Sequence, residues 1–308
     1  MTRSKHQPRA ASHPRHPAQP ATVSGRWLLT AIAIAIPGAA FCAWAVLCLL
    51  FWQGSWQLLY HPSSAITRTP ASVGLAFNSI GFAPTETGAP QLQGWWMPSA
   101  AAAPRHTVLY LHGADGNLSD TLEDLGRLHN AGVNVLAFDY RGYGQSQFVH
   151  PSEAHMRQDA ESALSYLVAT RHIDPHTIVL GGKALGANLA LDVAAAHPEL
   201  AGAVVDSPLD NPANTIFSDP RSHLVPAHLL VGDRYDSARS AAALRIPSLW
   251  FFKDSTAARS DSSEGSAAFQ KVTAPKTQVW LSSKSNSNQE FATAFSRWLD
   301  DLNKQQSK

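Results

Sequence analysis

"GGKALGAN", residues 181–188, is the stretch whose reading decides the fold. Before it, "TIVLGG" (177–182) is a short apolar run rich in β-branched residues. After it, "LGANLALDVAAAH" (185–197) has the length and the Leu/Ala content of a buried helix. A strand that feeds a helix through glycines describes a sharp corner. The spacing Gly182-x-Ala184-x-Gly186 is the frame of the G-x-S-x-G turn. Where that frame holds a serine, this chain has Ala184.

Outward from the corner the same alternation repeats. "TVLYLHG" (107–113) and "VNVLAFDY" (133–140) read as strands, with a helical stretch near 119–130 between them. "SEAHMRQDAESALSYLVAT" (152–170) has helical spacing, with Ser152 as N-cap and Glu153 in the first turn. "AGAVVDS", "PSLWFF" and "KTQVWL" add three strands, with helices between and after. Continuous apolar strands separated by helices predict a mostly parallel sheet covered on both faces. "GLAFNSIGF" and "LQGWWMP" predict an antiparallel start to that sheet. Residues 209–245, with weak periodicity and many Pro, Asp and Ser, are expected to form a cap-like insertion over the sheet edge.

The chain has 308 residues, a formal charge of +1 and 44% hydrophobic residues, enough for a sizeable core. Arg3, Lys5, Arg9, Arg15 and Arg26 give residues 1–52 a charge of +5, so the remainder carries −4. A mildly acidic remainder argues against a nucleic-acid surface there. Cys42 and Cys48 are the only cysteines, and both lie in the N-terminal apolar run. The rest therefore has no thiol nucleophile, no disulfide framework and no cysteine-based zinc site.

Trp27 to Trp52 contains no charged residue and is long enough to cross roughly 30 Å of hydrocarbon. The two tryptophans suit the interfaces. A cleaved signal peptide is the rival reading, on the small-residue site Gly38-Ala39-Ala40, but the apolar run continues well beyond it. The expected organisation is a disordered basic tail at 1–25, a transmembrane anchor at 26–54 and one α/β domain at 55–308. The five basic residues precede the span, and the next is Arg68. The positive-inside rule then predicts a cytoplasmic N-terminus and a periplasmic or extracellular domain.

Taken together, these stretches resemble the α/β-hydrolase superfamily. They resemble most its single-span, membrane-anchored bacterial subgroup, related to serine peptidases and lysophospholipase-like esterases. The resemblance rests on "LLYHP" (58–62), "LQGWWMP" (92–98), "LHGADGN" (111–117), "FDYRGYGQS" (138–146) and the corner itself, and it spans about residues 58–302. It implies a Ser-Asp-His triad in that chain order, with an oxyanion hole made by two backbone N–H groups. Those would be the N–H groups of Ala114 and Leu185. His112, Gly113, Asp139, Arg141, Gly142, Gly182 and Gly186 are then motif residues with structural duties. No metal and no cofactor is implied.

At the nucleophile and base positions the residues do not carry the chemistry, and at the acid position a shorter loop would let Asp254 serve. The methyl of Ala184 has no lone pair for covalent acyl transfer. No Ser, Thr or Cys lies between Thr177 and Ser207. Lys183 is expected as a solvated side chain. The acid position falls on Thr256, with Asp254 two residues short of it and Asp261 a weaker candidate. The base position falls on Asn286, which accepts no proton at neutral pH, and the chain has no histidine after His228. Two readings follow. One is a membrane-anchored, non-catalytic binding or scaffold protein whose partner is a small hydrophobic ligand or another protein. The alternative is an active ester or peptide hydrolase with a non-standard site built on Asp254, His223 or His228.

Overall fold

A computed structural model describes residues 24–101, 104–254, 264–282 and 287–306. It divides the chain into two units, 1–47 and 48–308. In the first, helix α1 begins; it runs Gly25–Gly54 and ends inside the second unit. It is apolar on all sides, and its only buried side chain is Phe51. A helix that is hydrophobic all round has no face to offer water. Among the described residues it is the one helix long and apolar enough to cross a membrane. The disordered tail expected at 1–25 falls almost wholly outside the described residues.

The second unit is built on an eight-stranded sheet. Its strands are β1 Asn78–Pro84, β2 Pro90–Met97, β3 Thr107–Leu111, β4 Asn134–Asp139, β5 Ile178–Lys183, β6 Gly202–Asp206, β7 Ser248–Asp254 and β8 Lys276–Ser282. Their order in space is β8-β7-β6-β5-β3-β4-β2-β1. Only the β1–β2 and β2–β4 pairs are antiparallel. This is the α/β-hydrolase fold, with the antiparallel start expected from 74–98.

The period of two sorts each strand onto two apolar faces. Leu109, Leu111, Leu136, Phe138, Trp250 and Phe252 face one side. That side packs on α3 (Glu153–Ser165) and α4 (Leu185–Ala196). Val108, Tyr110, Val135, Ala137, Leu249 and Phe251 face the other. That side packs on α2 (Leu122–Asn130) and on a C-terminal helix, Ser287–Gln306. Neither face is polar, so the strands read as continuous apolar runs rather than alternating ones.

Ser152 caps α3 as expected, its hydroxyl accepting the N–H of His155 at 3.2 Å. The helix expected from residue 119 begins as a tight turn at Leu118–Thr121 and becomes α2 at Leu122. Asn117 and Asp120 form a reciprocal capping box there, which fixes the entry angle of the chain. The 209–245 segment holds three short helices, α5 Asn214–Phe217, α6 Ala227–Leu230 and α7 Ser237–Ala243, with a tight turn at Pro220–Leu224. One more helix, α8 Ser266–Lys271, and the C-terminal α9 Ser287–Gln306 complete the domain.

Candidate functional site

The corner sits at the carboxyl end of β5, in the middle of the sheet, where open α/β folds place ligands. Ala184 has φ 51° and ψ −123°, a backbone conformation costly for any residue with a Cβ. The flanking glycines explain how the strain is held. A Cβ on Gly182 would lie 2.2 Å from the Gly186 carbonyl oxygen, and a Cβ on Gly186 would lie 2.1 Å from that of Leu111. Strand and helix thus touch backbone to backbone. The Ala184 N–H donates to the Asp206 carbonyl of β6 at 2.9 Å, which ties the corner to its neighbour strand.

The loop after β3 faces this corner. A Cβ built on Gly113 would stand 3.9 Å from the Ala184 methyl. His112 is fully buried, and burial pushes its pKa down to about 4, so it is neutral. Its Nδ1 lies 2.8 Å from the Gly113 carbonyl, which can only accept. Nδ1 therefore carries the proton. The Gly113–Ala114 peptide is trans, so fixing its carbonyl on one side aims the Ala114 N–H to the other. The next peptide is held as well: the Ala114 carbonyl accepts the His61 N–H at 3.0 Å and the Tyr143 hydroxyl at 2.8 Å. This loop is preorganised by hydrogen bonds that need nothing from residue 184.

Asp139 lies beneath that loop. One carboxylate oxygen accepts the Leu118 N–H at 2.9 Å and stands 3.7 Å from His112 Nε2, which has no hydrogen-bond partner. Burial raises the Asp139 pKa to about 7. Arg141 binds Asp159 through both backbone and side chain, N to Oδ2 at 2.8 Å and Nε to Oδ1 at 2.6 Å. Gly142 and Gly144 follow with φ of 92° and 50°. A Cβ on Gly144 would collide with Asp139, so the turn closes over the carboxylate only because that residue is glycine. These contacts tie the turn after β4 to Asp159 of α3 and to the loop at Leu118.

Lys183, expected as a solvated side chain, has 38% of its side chain exposed and is also ion-paired. Its Nζ lies 3.1 Å from both oxygens of Asp124. Asp124 also accepts from Arg127 and from the Tyr110 hydroxyl. The cause is α2, which delivers Asp124 beside the end of β5. The pair is 59 residues apart in sequence, so no local pattern announces it. A cavity of about 260 Å³ opens next to this cluster, with Lys183, Asp206, Lys253 and Arg127 among its lining residues. Its wall mixes charged side chains with polar and apolar ones such as Leu281.

Asp254 is the last residue of β7, two strands from β5 in the sheet. Thr256, Asp261 and Asn286 lie outside the described residues. His223 and His228 are in the 209–245 segment, and the His228 ring packs tilted against Phe217, with centroids 4.1 Å apart. A residue the sequence pattern does not single out, Ser207, directly follows β6 with φ 49°, and its hydroxyl donates to Asp206 Oδ1 at 2.9 Å. Only the sheet order brings it beside the corner.

The family model described as "Serine aminopeptidase, S33" matches residues 102–257, about half of the chain. The matched span runs from β3 through β7. An uncharacterized protein of Mycobacterium tuberculosis, Rv2307c, is 31% identical over 201 residues, which cover 65% of this chain and 69% of the relative. The uncharacterized protein YfhR of Salmonella typhi is 29% identical over 201 residues, covering 60% and 65%. Among solved structures, an α/β hydrolase from Vibrio vulnificus superimposes with a TM-score of 0.52 at 21% identity, covering 75% of this chain and 81% of that one. The Pyrococcus furiosus esterase Pf2001 gives 0.56 at 18% identity, covering 80% and 97%. The chain is an α/β hydrolase by fold. It belongs to the S33 serine aminopeptidase-like family.

Proposed function

We propose that this family member binds rather than cleaves: a membrane-anchored domain whose corner has kept its shape and lost serine acyl transfer. The observation that carries the reading is Ala184 itself, held at φ 51° in a glycine frame that still packs backbone on backbone. Acyl transfer needs an oxygen or sulfur nucleophile there and a base across from it. Asn286 at the base position and the absence of histidine after His228 support the same conclusion. The Ala114 and Leu185 N–H groups remain as the oxyanion-type donors, Thr256 or Asp254 as the degenerate acid position, and the 209–245 segment as the cap.

The apolar helix α1 serves as the anchor, with the N-terminus cytoplasmic and the domain periplasmic or extracellular. The support is the basic flank before the span and the absence of a basic residue after it until Arg68. Of the two partner classes expected, the cavity beside Lys183, with Glu123, Arg127, Asp206 and Lys253 in its wall, gives less support to a small hydrophobic ligand. A small charged ligand or a protein surface suits that wall better.

Hydrolysis of p-nitrophenyl acetate and butyrate by the full chain is the test. Rates at the no-protein blank are expected, and Ala184→Ser alone should not raise them. The triple change Ala184→Ser, Thr256→Asp and Asn286→His is the version with a complete set of groups. Robust turnover by the unaltered chain, or by Ala184→Ser alone, overturns the reading.

A further inference from the structure

Among the described residues beyond α1, four large apolar side chains are exposed: Val73, Phe148, Leu224 and Leu229. Three of them lie on elements gathered where the anchor enters the domain. Cys48–Gly54 belong to the compact unit, with Phe51 in its core and Trp52 exposed. The turn that follows, Ser55–Leu58, packs on α5, and Trp56 stacks on His150 at 4.8 Å. His150 meets the edge of Phe148 at 5.8 Å. On the other side α5 presents Phe217 to His228 of α6, the helix that bears Leu229. Phe148 is 78% exposed, Leu229 86% and Leu224 61%.

Single exposed apolar residues are ordinary on a protein surface; a concentration of them beside one landmark is not. Here the landmark is the end of the apolar helix. We propose that the loop carrying Phe148 and the segment carrying Leu224 and Leu229 form a lipid-docking surface, inserted at the headgroup–acyl boundary of the bilayer that holds α1. The proposal rests on the anchor reading above. Trp52 and Trp56 supply the amphipathic rings that favour that depth. The exposed Arg234 lies 5.6 Å over the Phe217 ring and donates to the Asp233 and His228 carbonyls, so its positive charge is held beside this surface, where it attracts a headgroup phosphate. A footprint of three side chains is small for a free protein. The tether makes it sufficient, because docking is then intramolecular and the effective concentration of membrane is high.

Photo-crosslinking of the full chain tests this. A benzoylphenylalanine is placed in turn at Phe148, Leu224 and Leu229, at Ile34 within α1, and at Val73 as the exposed apolar control. Each protein is reconstituted into phosphatidylcholine vesicles with alkyne-bearing acyl chains, and attached lipid is counted after irradiation. Strong labelling at Ile34 is expected, with Phe148, Leu224 and Leu229 at least about fivefold above Val73. If Ile34 labels and the other three match Val73, the docking surface is wrong and the anchor stands. If Ile34 also fails, the anchor reading fails and takes the surface with it. Adducts to protein instead of lipid at the three positions assign this face to a protein partner and overturn the proposal.

Discussion

At Arg141 and at Ala184 the chain turns sharply among glycines, and the two turns are held in different ways. The Arg141 turn is held by charge. Guanidinium and backbone N–H converge on the buried Asp159, whose pKa burial raises and Arg141 pulls back down. The Ala184 turn is held by contact. Its shape comes from Gly182 and Gly186 pressed on carbonyl oxygens and from one hydrogen bond to β6. No side chain at residue 184 takes part. A corner held by packing keeps its geometry whatever stands at its apex, whereas the Arg141 turn depends on the identity of one residue. That is why the apex can hold an alanine without loss of fold.

Removing the charge that holds the first turn should have the largest effect. Arg141→Ala leaves the buried Asp159 carboxylate without its countercharge, with the backbone N–H of residue 141 still donating to it, and urea denaturation should show a loss of about 3–5 kcal/mol. A loss under about 1 kcal/mol would mean that the ion pair does not hold this turn. Next comes Gly186→Ala, which drives a Cβ into the Leu111 carbonyl. A loss of about 3 kcal/mol is expected, in the range of severe overpacking. Full stability in that variant would show that strand and helix have slack at the corner.

Two buried groups between these turns should give opposite pH effects. The His112 pKa is lowered on folding, so its contribution is complete above the unfolded value and is lost as pH falls from about 6.5 towards 4. The Asp139 pKa is raised, so its contribution is complete below the unfolded value and is lost as pH rises from about 4 towards 7. Between pH 7 and 5 the two slopes oppose each other. Relative to the unaltered chain, His112→Asn should gain roughly 2 kcal/mol on acidification across that window, and Asp139→Asn should lose a similar amount. Parallel curves for all three proteins would remove both groups from the account. The smallest change is Ala184→Gly, which relieves the positive φ. A stabilisation of about 1 kcal/mol is expected, and destabilisation would deny the strain.

The sheet and the corner were legible because their causes are local. Apolar runs such as "VLYL" and "VLAF" state strands buried on both faces, and two glycines four residues apart state a close approach. The capping box at Asn117 and Asp120 was also there to be read, as Asn followed three residues later by an acid. What was not legible is long-range. Asp124 reaches Lys183 only because α2 lies along the end of β5. Tyr60 donates to Asp233 at 2.6 Å across 173 residues, and Glu153 accepts the N–H groups of Arg234 and Tyr235, so the 209–245 segment is held by partners far outside it. Helices of four residues such as α5 and α6 are too short to show a period. Ser207 escaped notice for the same reason: sheet order, not spacing, makes it a neighbour of Ala184.

The central claim is that no side chain in this domain acts as an acyl-accepting nucleophile. The most direct measurement is intact-mass spectrometry of the full chain after prolonged exposure to a fluorophosphonate probe, followed by peptide mapping. An unchanged mass is the expected result. A stoichiometric adduct contradicts the claim, and an adduct mapped to Ser207 would move the chemistry one strand over, to the end of β6.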